Sequence, residues 1–160
     1  MTTLPEHMIR IEALRSRVTR VNSLYGRAYG PLCLLALTLT FFPYYESEPH
    51  SSITHGNVWQ EVLRLGPGFD LMALLLVILT ATLLAVGAVR GLPISGLIAI
   101  IVGSVLIGST LCQSPGYVEP PPYTNAGVLD IALSFLAAGL ALAHAVHLFI
   151  LELSFHRSGD

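Results

Sequence analysis

The chain has 160 residues, 53% of them hydrophobic and 11% charged, with a formal net charge of −2 and a mean hydropathy of +0.69. So little polar surface excludes an ordinary soluble domain of this length, and the lack of any long run of like charge excludes a nucleic-acid binder of the basic-tail kind. All eight basic residues are Arg; with abundant Ala, Leu, Gly and Pro, codon usage points to a GC-rich, actinobacterial type of genome.

The first 27 residues form an Arg-rich arm. Within it Met8, Ile11, Leu14, Val18, Val21 and Tyr25 recur at spacings of three and four, which is one face of a helix. Arg10, Arg17 and Arg20 flank that face, as expected for a helix lying on an anionic inner leaflet or docking on a partner. Residues 28–45 are the first apolar segment, with Pro31 near its start and Pro43 near its end, where a lost N–H costs least. The run lacks a small-residue cleavage site before Phe41-Phe42-Pro43-Tyr44-Tyr45, so it is expected to remain as an anchor rather than be removed as a signal.

A loop follows that carries His50, His55, Trp59 and Gly66-Pro67-Gly68. Its segment from Val58 to Leu65 predicts a short interfacial helix with Trp59 at headgroup depth. Residues 69–89 and 92–113 are the clearest spans, each near the roughly 20 residues that cross a hydrocarbon core, and the tight hairpin at Arg90-Gly91-Leu92-Pro93 joins them. A proline-rich loop precedes the last span, 127–151, and residues 152–160 are a tail. The expected fold class is therefore all-α: an integral-membrane four-helix bundle, residues 28–151, with an amphipathic N-terminal helix. Arg10, Arg15, Arg17, Arg20 and Arg27 precede the first span, Arg90 lies in the hairpin and Arg157 follows the last span, against Arg64 alone in the first loop. The positive-inside rule then puts both termini in the cytoplasm of a bacterial inner membrane.

The residues that invite chemistry are few. His144 and His147, three apart in an apolar run, share one helix face; the favoured reading is that they are polar packing residues, with proton handling, or metal ligation helped by Cys33, as alternatives. A haem held by His144 would need a facing histidine that no other span supplies. Asp70 and Asp130 stand near the starts of their helices, where a carboxylate complements the helix dipole; a deeper carboxylate would point to function. Cys33 and Cys112 are expected near opposite faces, beyond the roughly 7 Å that a disulfide spans, so as free thiols.

The third span carries the small-xxx-small pairs Ala99/Gly103 and Ser104/Gly108, and the fourth carries Gly139 and Ala143. Such residues let helix backbones approach closely, so Ala99, Gly103, Ser104, Gly108, Gly139 and Ala143 are the expected packing interface. No GxSxG, HExxH or phosphate-binding glycine loop occurs, so no enzyme activity, cofactor or resident metal is expected.

The short N-terminal arm, four spans, a larger first loop with Trp59, a tight inner turn and a short second loop resemble the claudin-like four-helix group in layout. The claudin first loop pairs its Trp motif with two cysteines, and here Trp59 has none beside it, so sealing between cells does not carry over. With its size and composition the chain also resembles small accessory subunits of large actinobacterial inner-membrane assemblies, such as lipid importers of the mammalian-cell-entry (MCE) type or the respiratory supercomplex. That resemblance implies a non-catalytic subunit whose partners are transporter permease subunits and lipids. A small homo-oligomeric transporter or channel, with a groove lined by Ser104, Thr110, His144 and His147, is the alternative from a different class.

Overall fold

The computed structural model describes residues 6–46, 56–65, 69–112 and 121–157. His50, His55, the Gly66-Pro67-Gly68 turn and Glu119 lie outside these residues, as do the side chains of Arg10, Glu61, Arg64, Asp70 and Arg157. Five helices follow one another: α1 Glu6–Leu39, α2 Val58–Leu65, α3 Phe69–Arg90, α4 Ile94–Cys112 and α5 Asn125–Arg157. The four long ones pack as a ring in which α1 lies against α3 and α5, and α4 against the same two, with no close backbone approach across either diagonal among the described residues. Neighbours run antiparallel, and the short α2 packs along α3.

Three of these helices are long and apolar enough to cross a membrane: α3 over Leu71–Arg90, α4 over Ile94–Cys112 and α5 over Asn125–Phe155. Only 33%, 28% and 33% of their apolar windows are buried within the chain. The larger share of each therefore faces outward, which an apolar solvent tolerates and water does not.

The first helix departs from expectation. The arm and the first apolar segment are one continuous helix that passes the 27/28 boundary and holds Pro31 in its interior. Proline there removes a single N–H, the one that would bond the Arg27 carbonyl, and the helix carries on because its flanks are packed. Val18, Val21, Tyr25, Tyr29, Leu32 and Cys33 all join the core cluster. The stripe read on the arm is thus the upstream end of the bundle's own apolar face. Roughly 20 Å of α1 lies upstream of Asn22, where Met8, Ile9 and Ile11 are exposed.

At its other end α1 stops at Leu39, short of the expected position 45. Phe41 and Phe42 close the last turn on the carbonyls of Thr38 and Leu39 at 3.2 and 3.0 Å, and Pro43 forces the residue before it out of helical geometry. Tyr45 then pairs with Tyr123 in an isolated antiparallel bridge. Both phenols donate to the Leu111 carbonyl at 3.1 Å, satisfying one of the carbonyls that α4 leaves open at its end.

The second and third spans and the short α2 form close to where they are read, whereas α5 runs on to Arg157, through most of the expected 152–160 tail. Asn57 and Gln60 cap α2 reciprocally, side chain to backbone N–H at 2.9 and 3.1 Å, a capping box in amide form. The Trp59 indole N–H donates to Thr40 Oγ1 at 2.9 Å, tying α2 to the end of α1. Thr124 caps α5 through its hydroxyl, which accepts the Gly127 N–H at 3.0 Å. Gly91 turns α3 into α4 at φ +74°, a conformation that favours glycine.

Candidate functional site

Small residues place the helices before any polar group is set. On α4, Gly103 faces α3, where a Cβ would come within 2.5 Å of Thr80 Oγ1, and Gly108 faces α5, where a Cβ would meet the Phe135 ring at 3.0 Å. Gly103, Ser104 and Gly108 are buried, while Ala99, Gly139 and Ala143 are exposed. The expected interface therefore divides into three positions inside the bundle and three on its outside. One close backbone approach escapes sequence reading: Gly26 and Gly30 of α1 form a GxxxG pair, and a Cβ on Gly26 would lie 3.0 Å from the Ala88 carbonyl of α3. The pair spans the 27/28 boundary, so reading arm and span separately hid it.

Two buried polar groups sit at opposite ends of this frame. Toward the Arg-bearing end, His144 is wholly buried. Its Nε2 lies 2.8 Å from Asn22 Oδ1 and its Nδ1 lies 3.0 Å from the Tyr29 hydroxyl. An amide oxygen only accepts, so Nε2 carries the proton and Nδ1 accepts from the phenol. The ring also stacks on Tyr25, with centroids 4.3 Å apart and planes 8° from parallel. Every bonding position of the imidazole is occupied, and metal or haem ligation would have to break the Asn22 or the Tyr29 bond. His147 is exposed and meets Tyr25 edge-on at 6.2 Å. Cys33 donates to the Ala81 carbonyl, and both cysteines are free. Asn22, Tyr25 and Tyr29 lie three and four residues apart beside the stripe of Val18 and Val21, but nothing in the sequence pairs them with a histidine 115 to 122 residues away.

Toward the other end stands Asp130, 6% exposed. It was expected as an interfacial acid at a helix start. It lies instead on the sixth position of α5, roughly 7.5 Å along the axis, and faces the bundle interior with the Tyr44 phenol as its hydrogen-bond partner. Two cavities adjoin the carboxylate. A small one of about 30 Å³ brings Asp130 together with Thr80, Ser104 and Ser134, enough room for a water or two. A larger one of about 340 Å³ lies between α3 and α4, walled by Met72, Leu76, Val77, Leu106 and Leu111, with Tyr44, Thr110 and Asp130 as its polar lining.

Ser104, Thr110, His144 and His147 are distributed accordingly: Ser104 on the small cavity, Thr110 on the larger, His144 inside its own closed group and His147 outside. Arg17 and Arg20 are exposed on α1. Comparison of the chain with protein-family models, curated proteins and solved structures returns no match.

Proposed function

We propose that the chain is a non-catalytic accessory or stabilising subunit of a larger bacterial inner-membrane complex, with α1 as a fourth span and both termini cytoplasmic. Orientation rests on Arg placement: Arg15, Arg17, Arg20, Arg27 and Arg90 are all exposed at one end of the bundle. The upstream part of α1, with Met8, Ile9 and Ile11 exposed beside Arg17 and Arg20, then projects to the cytoplasmic side as a docking arm for permease subunits or for the lipid surface. An envelope lipid (fatty acid) importer of MCE type is the host to test first, and a respiratory supercomplex is the alternative; layout, size and composition support both.

The observation that carries the reading is Gly139. A glycine within a helix costs about 1 kcal/mol relative to alanine, and Gly26, Gly103 and Gly108 each admit a neighbouring helix. Around Gly139 nothing lies within 4 Å of where a Cβ would stand. Ala143, one turn on, is likewise exposed, so the close approach these residues permit is left to another chain.

Purification in mild detergent from the native membrane, with mass spectrometry of what accompanies the protein, tests this. Wild type is expected to bring a stoichiometric larger complex, and Gly139→Leu to lose it while retaining yield and thermal stability, since its Cβ points away from every other helix of the chain. A homo-oligomer alone, or unchanged co-purification of Gly139→Leu, would overturn the proposal.

A further inference from the structure

Asp130 is a carboxylate almost fully withdrawn from solvent in a bundle whose surface is apolar. Intramembrane carboxylates are costly and are kept where they serve a pathway or a ligand, and a buried charge requires a compensating partner. Among the described residues its partner is the neutral phenol of Tyr44, which engages one of the roughly four acceptor positions of an ionised carboxyl. The described arginines of α1 and Arg90 are at the opposite end. Beside the carboxylate lies the 340 Å³ cavity, within the 300–1,000 Å³ range of small-molecule sites, and like them mostly apolar with a few convergent polar groups.

We infer that this cavity is a binding site for a single-chain cationic amphiphile, entering from the lipid between α3 and α4, its nitrogen at Asp130 and its chain along Met72, Leu76 and Leu106. Exposed Met72 and Leu106 border the cavity on the outside, so entry needs no opening toward water. The hydroxyls of Thr80, Ser104 and Ser134, with room for water in the small cavity, lie behind the carboxylate and keep the headgroup partly solvated. Selectivity follows from charge: a neutral chain gains only apolar burial, and an anionic one meets a like charge in a poorly screened site. The site belongs to the chain itself and does not depend on any partner complex.

Equilibrium dialysis of the purified full-length protein in zwitterionic nanodiscs, with empty nanodiscs as the blank, tests it with labelled decyltrimethylammonium, decanol and decanoate. Saturable binding of the cation at least tenfold tighter than the alcohol is expected, with decanoate weakest. Asp130→Asn should bring cation and alcohol within about twofold of each other, and Ala73→Phe, which fills the chamber, should weaken both. Equal binding of cation and alcohol by wild type, or a preference that survives in Asp130→Asn, would overturn the assignment. Should Asp130→Asn not fold, the wild-type preference and the weaker binding of both ligands by Ala73→Phe decide the matter, and unaltered binding by Ala73→Phe counts against the site.

Discussion

His144 and Asp130 are both ionisable, both carried by α5 and both buried, yet their surroundings differ in kind. The imidazole is ringed by groups that match it: an acceptor at Nε2, a donor at Nδ1 and an aromatic face over the ring. Nothing is left over, and the group acts as a clasp between α1 and α5. Among the described residues the carboxylate has one neutral donor, and two spaces adjoin it, one polar and water-sized, one apolar and larger. A polar group that is satisfied throughout specifies packing, whereas one left partly engaged next to an unfilled volume is shaped for something outside the chain.

The comparison breaks most sharply at His144. Replacing it with alanine removes a ring from a packed site and strands Asn22 and Tyr29, so a loss of about 3 kcal/mol or more is expected, measured by unfolding in mixed micelles. A change below about 1 kcal/mol would show that the clasp is not structural. Gly91→Ala comes next. Alanine at positive φ costs about 1–2 kcal/mol, and its Cβ would lie 2.6 Å from Asn22 Nδ2, pushing that amide off the histidine. The double variant Gly91→Ala/Asn22→Ala should be less destabilised than the two single effects added together; strict additivity would mean the turn and the clasp are independent. Smallest is Tyr44→Phe, which takes the one donor from Asp130. Hydrogen bonds between membrane helices average about 0.6 kcal/mol and seldom exceed about 1.7, so a loss near 1 kcal/mol is expected in the same assay. A loss as large as that of His144→Ala would place Asp130 in a closed structural group like that of the histidine and remove the contrast.

Much of the scaffold was readable along the chain. The helical boundaries of the second and third apolar segments, the hairpin at Gly91 and the short helix from Val58 come from local signals: length of apolar run, a glycine before a proline, an Asn and a Gln three apart. The first segment departs from a local reading at both ends. Pro31 near its start does not open a separate helix, because a single lost hydrogen bond does not end a helix whose face is packed, and the apolar run to Tyr45 hides the stop imposed by Pro43. The small residues were recognised as contacts, but not assigned to sides. Gly103 and Gly139 look alike in sequence, and only the rotation of α4 and α5 about their axes turns one toward Thr80 and leaves the other facing out.

By itself the sequence determined that this is an all-helical chain with apolar spans, and the side on which its arginines gather, because hydropathy and helical period are properties of residues close together in the chain. Tertiary structure decided which polar residues meet. His144 finds Asn22 and Tyr29, and Asp130 finds Tyr44, across more than 80 residues in each case. Such pairings arise from the antiparallel register of α1 against α5 and from the volume the helices enclose, neither of which any local pattern encodes. For the same reason the burial of Asp130 and the cavity beside it follow only from how the helices are placed.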